Sequence, residues 1–242
     1  MKAMWLDLSV CIGCRACQVA CKEWNDLPSE PTVQSGGYEN PRGLTGDTWK
    51  QVRFVEKTLA DGTPVWLFLS DSCKHCQEAP CLTACPTDAI YRTDEGFVLI
   101  DASVCNGNAH CVPACPFDVI HVGSKRVAAK CTFCHDRVGA GAEPACAKVC
   151  PTDCIQFGER EDLLGAAHAR RDLLHSRGET ALLYGESEVG GLNVFYLLQD
   201  EPEVYGLPRD PVLPVKRLGA AWAATATAAA AILGSALAFL IA

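Results

Sequence analysis

The sequence predicts an α+β protein wrapped around metal-binding cysteine repeats and followed by one apolar helix. Three observations carry this reading. Fifteen of the sixteen cysteines fall in four runs, opening at Cys11, Cys73, Cys105 and Cys131. Short β-rich stretches bounded by Gly, Pro, Asn and Asp lie between the runs, and one helical stretch follows them. The last 25 residues, Leu218 to Ala242, carry no charge.

The chain has 242 residues, room for one large or two small domains. Cysteines so close together favour a shared metal centre over crosslinks between distant segments. Net charge is −8 with both signs mixed along the chain, and no basic run marks a nucleic-acid partner. The opening MKAMWLDLSVCIGC has no apolar core before its first cysteine, so it reads as neither a secretory signal nor a twin-arginine leader.

The first run is Cys11, Cys14, Cys17 and Cys21. This is the C-x2-C-x2-C-x3-C spacing that wraps an iron–sulfur cubane, with Lys22 where Pro is usual. Three sulfurs come from a tight loop, and the fourth ligates a neighbouring cluster. Zinc sites instead use two separated C-x2-C pairs. Residues 25 to 50 are rich in Gly, Pro, Asn and Thr and read as a long surface loop, either a plain connector or a docking surface. Residues 51 to 69 read as a hairpin turning at Asp61-Gly62. The second run is Cys73, Cys76, Cys81 and Cys85, followed by Pro86, and GFVLID (96–101) reads as a strand. The third, CNGNAHCVPACP, offers Cys105, Cys111 and Cys115, with Asn108 where the second thiolate belongs. The fourth is Cys131, Cys134, Cys146 and Cys150, with a wider internal loop.

These runs are internal repeats. CPTDAI (85–90), CPFDVI (115–120) and CPTDCI (150–155) share a tail. The first and third runs share a register, 11, 14, 17, 21 against 105, 108, 111, 115, an offset of 94 that puts Asn108 in the place of Cys14. Cys154 aligns with Ala89 and Val119 and reads as a small core residue rather than a ligand.

Glu159 to Arg177 has the apolar spacing of an amphipathic helix ended by Gly178, with His168 and His175 as surface histidines. Asn193 to Gln199 reads as a buried strand, and the Pro- and Gly-rich segment after it as an irregular strap. The uncharged tail, at about 1.5 Å per residue, makes roughly 37 Å of helix, enough to cross a bilayer with tilt. This divides the chain into a cluster domain, 1–215, and a membrane anchor, 216–242.

With these motifs the chain resembles the iron–sulfur β subunit of respiratory formate dehydrogenases. The resemblance rests on CIGCRACQVACKEWND, KCTFCHDRV, EPACAKVCPTD and GGLNVFYLLQDEPEVYGLPRDP and covers nearly the whole length. The cysteine runs alone also suit the electron-transfer subunits of nitrate and sulfoxide reductases or of a nickel–iron hydrogenase. A non-redox metal-binding assembly protein is the alternative of another class. The resemblance implies two ferredoxin-like units with two clusters each. It implies that Cys11, Cys14, Cys17 and Cys150 share a cluster, as do Cys131, Cys134, Cys146 and Cys21. It implies a third set, Cys73, Cys76, Cys81 and Cys115, and a fourth of three thiolates only, Cys105, Cys111 and Cys85, with Asn108 at the remaining position. Three 4Fe–4S clusters follow, with a fourth that is either 3Fe–4S or a 4Fe–4S cluster with one non-Cys ligand.

The chain carries no nucleophile–base pair and no Gly-rich nucleotide loop beyond Gly190-Gly191. The expectation is a non-catalytic subunit. It takes electrons from a catalytic molybdopterin subunit with molybdenum or tungsten and passes them to a membrane cytochrome b or quinone-linked partner. Replacing an anionic thiolate by Asn108 raises the potential of its cluster. Lys216 and Arg217 before the tail argue for a cytoplasmic domain, whereas the resemblance implies the outer face, reached by export with a partner, and the expectation follows the resemblance.

Overall fold

The opening residues KAMWLD are apolar on both faces, and they form the strand on which the domain is assembled. The structure is a computed structural model describing residues 1–31, 33, 36–59 and 61–212. In chain order the elements are β1 (Lys2–Asp7), α1 (Ala16–Trp24), β2 (Lys50–Thr58), β3 (Pro64–Ser72), α2 (Pro80–Thr83), β4 (Ile90–Arg92), β5 (Val98–Ile100), α3 (Cys111–Ala114), β6 (His121–Val122), β7 (Ala128–Ala129), α4 (His135–Gly139), α5 (Ala145–Lys148), β8 (Ile155–Glu159), α6 (Arg160–Ser176), β9 (Leu182–Tyr184) and β10 (Val194–Leu198). The α+β class follows, and Met1–Pro211 forms one compact unit.

The main sheet runs β8-β1-β10-β9. β1 pairs with β8 antiparallel and with β10 parallel, Met4 opposite Val194 and Asp7 opposite Leu197. Strands covered on both faces read as continuous apolar runs, and β1 and β10 do. Alternate side chains explain the two coverings. Ala3, Trp5, Phe195 and Leu197 pack against Leu163, Leu164, Ala167 and Leu174 of α6. On the other face Met4, Leu6, Val194 and Tyr196 are wholly buried, and Met4 Sδ lies 3.8 Å from Cys146 Sγ. The sheet is thus a plate with a helix on one side and cysteine runs on the other.

α6 carries Glu161 and Asp162 in its first turn, where the helix dipole favours anions. It ends as the sequence predicts: Gly178 has φ +76, and Glu179 N–H closes on the Leu174 carbonyl at 3.0 Å. His168 meets Glu186 at 3.1 Å and His175 meets the Ala181 carbonyl at 2.8 Å. The expected hairpin forms and is longer than predicted, pairing Lys50 with Ser72 and Thr58 with Pro64. The expected strand at 96–101 shortens to β5, paired with β4. The strap after β10 is pinned by two buried tyrosines. Tyr184 donates to the Pro208 carbonyl at 2.6 Å, and Tyr205 accepts from Gln199 N–H at 3.1 Å.

Residues 25 to 50 are anchored rather than a plain connector. Lys22 donates to the Asp47 carbonyl at 2.9 Å and to Thr48 at 3.1 Å, and the Asp47 carboxylate accepts from Ser124 N–H and Oγ at 3.0 Å. Gly46 and Gly123 cross so closely that a Cβ on Gly46 falls 2.2 Å from Gly123. Lys22 also accounts for the missing proline of the first run, because α1 continues past Cys21 to Trp24 and Pro would remove a helix donor there. The tail 218–242 and the 215/216 boundary lie outside the described residues. Among the described residues, no helix is long and apolar enough to cross a membrane.

Candidate metal centres

The opening four residues of all four runs, three C-x-x-C and one C-x-x-N, turn the same way. Their third residue is left-handed in each: Gly13 (φ +65), His75 (+47), Gly107 (+73) and Phe133 (+58). That turn aims a backbone N–H at the first sulfur, His75 to Cys73 at 3.4 Å and Phe133 to Cys131 at 3.3 Å. The repeat tail behaves alike. Asp88, Asp118 and Asp153 are left-handed at +55, +50 and +52. Amides after each proline donate to the cysteine before it: Thr87 to Cys85, Phe117 and Val119 to Cys115, Thr152 and Ile155 to Cys150. Amide donors to sulfur favour the thiolate and tune a bound cluster.

The thiols act on one another in four neighbourhoods. Burial raises Cys21 well above the ordinary thiol value, and the Cys131, Cys146 and Cys134 sulfurs add to it. Burial likewise raises Cys76, helped by Cys73, Cys115 and Cys81. Cys111 is raised by burial and then by Cys105, Cys85 and Cys115. Cys11 lies beside Cys150, with Cys17 in reach. Cys14 is the exposed member of its loop. The neighbourhoods act on one another in sequence: Cys146 raises Cys17, Cys73 raises Cys131, and Cys111 raises Cys81. Cys81 and Cys131 are both pushed up to about 12, in each case mainly by burial.

Cys154 is buried, at 1% exposure, as are its repeat partners Ala89 at 0% and Val119 at 3%. Its thiol also sits against two cysteines. Hydrogen bonding from Cys154 lowers Cys150 to about 5 and Cys11 to about 7.

The donor set fits an iron–sulfur cluster better than a single ion. Soft thiolates select such clusters. Among the described residues, no group of three or more His, Cys, Asp or Glu converges tightly enough for one metal ion. Thiolates around a cubane stand further apart than around an ion. Buried donors around the sulfurs lack any partner within the described protein, among them Lys50 Nζ and Tyr196 Oη. His75 Nδ1 accepts from Val98 N–H at 3.1 Å, so Nε2 carries the ring proton. Burial, then Lys130 and Arg92, hold this ring neutral, its pKa well below the usual histidine value.

Between the Cys131 and Cys73 neighbourhoods two rings meet. His75 and Phe133, one from each C-x-x-C loop, stand edge to face at 5.0 Å, and Phe97 stacks on Phe133 at 4.3 Å. Asn108 lies in an exposed loop whose backbone repeats that of the first run: Gly107 and Ala109 at φ +73 and +58 match Gly13 and Arg15 at +65 and +62. Its N–H is taken by Asn106 Oδ1 at 3.1 Å.

Sequence reasoning passed over Lys50, Lys74 and Lys130, all buried. A lysine at a strand end or beside a cysteine reads as solvated surface, so only the spacing of Lys74 and Lys130 from Cys73 and Cys131 was a signal.

Two models of a 4Fe-4S dicluster domain match the chain, over residues 10–89 and 64–160. The chain is 44% identical over 216 residues to the iron–sulfur subunit of the nitrate-inducible formate dehydrogenase of Escherichia coli K12, covering 86% of this chain and 73% of that one. It is 38% identical to the β subunit of formate dehydrogenase 2 (cytochrome c-553) of Nitratidesulfovibrio vulgaris, covering 84% and 96%. It is 42% identical over 158 residues to the thiosulfate reductase electron transfer subunit PhsB of Salmonella typhi, covering 64% and 74%.

Proposed function

Because the chain belongs to the family of formate dehydrogenase iron–sulfur subunits, we propose that it is the electron-transfer subunit of such a complex, with four clusters in line. The observation that carries this is the order of the thiol neighbourhoods, each acting electrostatically on the next through Cys17–Cys146, Cys131–Cys73 and Cys81–Cys111. Their membership supports the ligand sets Cys11, Cys14, Cys17, Cys150; Cys131, Cys134, Cys146, Cys21; Cys73, Cys76, Cys81, Cys115; and Cys105, Cys111, Cys85. Bound clusters supply the one-electron chemistry. The chain supplies spacing, sulfur-directed amides and exclusion of water.

The fourth set has three thiolates. Asn108 offers a neutral, exposed amide, a poor ligand for iron beside soft thiolates. This favours a 3Fe–4S centre at a higher potential than its neighbours. Electrons enter from a catalytic molybdenum or tungsten subunit and leave to a membrane cytochrome b or quinone-linked subunit. Residues 216–242 anchor the chain in lipid, and the cluster domain, 1–215, lies on the outer face, exported with its partner. The uncharged tail and the family's respiratory character support these statements.

Purification from membranes tests the reading. A brown complex holding a molybdopterin subunit, with formate reducing its iron–sulfur absorption, is the expected result. A colourless zinc-containing chain without partners would overturn it.

A further inference from the structure

Lys50 is 2% exposed at the start of β2. Three lysines are buried in this domain, and two have protein partners. Lys74 pairs with Asp71 and donates to the Ser72 carbonyl at 2.9 Å. Lys130 donates to the Val98 carbonyl and to the Cys131 carbonyl at 3.2 Å. Lys50 Nζ has no hydrogen-bond partner and no carboxylate among the described residues. The nearby buried carboxylate, Asp71, is taken by Arg53 at 2.8 Å and by Lys74.

An ammonium stripped of water and left alone is strongly unfavourable, so a buried cation implies an anion. The groups that act on Lys50 are sulfurs and a phenol: Cys146, Cys17, Tyr196 and Cys131. The strand that carries Lys50 lies along the first cysteine helix: Val52 N–H donates to Gln18 Oε1 at 3.2 Å, and Ser70, which pairs with Val52, stands 3.3 Å from Cys17 Sγ. Cys17 belongs to the first ligand set and Cys146 and Cys131 to the second, so the amine stands where the two sets meet.

We propose that Lys50 is a resident cation shared by the sulfur shells of the first two clusters, and that it raises their reduction potentials. A cluster gains one negative charge on reduction, and a cation beside its sulfurs lowers the energy of that state. Lys50 touches no substrate, so it is a positioning and tuning residue. The proposal rests on the ligand assignment above, and iron and sulfide content reports on that assignment separately.

The test is a potentiometric EPR titration of the intact complex carrying Lys50→Met, Lys50→Gln or Lys50→Arg. In the two neutral variants, with iron and sulfide retained, the reduction equilibria of the two centres on the first and fourth runs shift at least tenfold toward the oxidised form. That is about 59 mV for a one-electron couple. The centres on the second and third runs stay in place, and Lys50→Arg stays near the parent. Unmoved first and fourth-run centres, or equal shifts at all four, overturn the proposal. Pulsed EPR of the unsubstituted complex labelled with 15N-lysine covers variants that fail to load. A 15N coupling to a reduced first or fourth-run centre that is lost in the equally labelled Lys50→Arg complex supports the proposal, and a coupling that Lys50→Arg leaves unchanged, or no coupling, contradicts it.

Discussion

The loops Cys11–Cys17 and Cys105–Cys111 follow one backbone path and differ at the second position of the cysteine spacing, Cys14 against Asn108. Gly13 and Gly107 make the same left-handed turn, Arg15 and Ala109 the next one, and exposed and half-buried residues alternate alike from Cys11 to Arg15 and from Cys105 to Ala109. Run three thus keeps the backbone turns of the first run while offering one thiolate fewer. Backbone and ligand are separable, and the electronic character of a centre can change without refolding its cradle.

Exchange at this second position breaks the comparison most directly. Asn108→Cys is expected to add one iron per chain and to lower the potential of that centre, read by iron analysis and redox titration. Cys14→Asn is expected to remove one iron from the first centre. Unchanged iron in both variants would mean that these positions are not equivalent.

The turns come next in size. Alanine at either glycine forces a left-handed Cβ, at roughly 1–2 kcal/mol. At Gly107 the new Cβ falls 2.5 Å from the Arg126 carbonyl oxygen, and at Gly13 it falls 2.7 Å from the Phe68 ring. A backbone carbonyl yields less than a ring, so Gly107→Ala should lower the thermal midpoint more than Gly13→Ala. The reverse order would show that the hairpin packing of the first loop is the stiffer support.

Cys154→Ala is expected to leave iron content intact and to cost about 1 kcal/mol in thermal unfolding, as ordinary buried substitutions do. Loss of iron would make Cys154 a ligand. Arg15→Ala gives the smallest effect. Its guanidinium lies 4.7 Å over the Phe54 ring, and Ala109 has no counterpart, so about 0.5–1 kcal/mol is lost from the first loop alone.

Local patterns carried much of the architecture. The hairpin, α6 with its glycine stop, the buried strand at 194–198 and the repeat tails all have signals confined to a few neighbouring residues, and each appears where periodicity or turn chemistry puts it. What escaped is what only tertiary contact defines. The parallel pairing of β1 with β10 joins the two ends of the domain and leaves no mark in either segment beyond apolarity. The Lys22–Asp47–Ser124 ties fasten a loop that reads as either a connector or a docking surface to the first run and to the turn after β6. Cys154 was legible as core, from its alignment with Ala89 and Val119, whereas its place against Cys11 and Cys150 was not. The C-terminal anchor rests on composition alone, since it lies outside the described residues.

Low-temperature EPR of the oxidised complex, before and after Asn108→Cys, tests the central claim. The account predicts an oxidised 3Fe–4S signal in the parent protein that disappears when the cysteine is restored. No such signal, together with sixteen irons in this chain, would contradict it and make Asn108 a silent replacement.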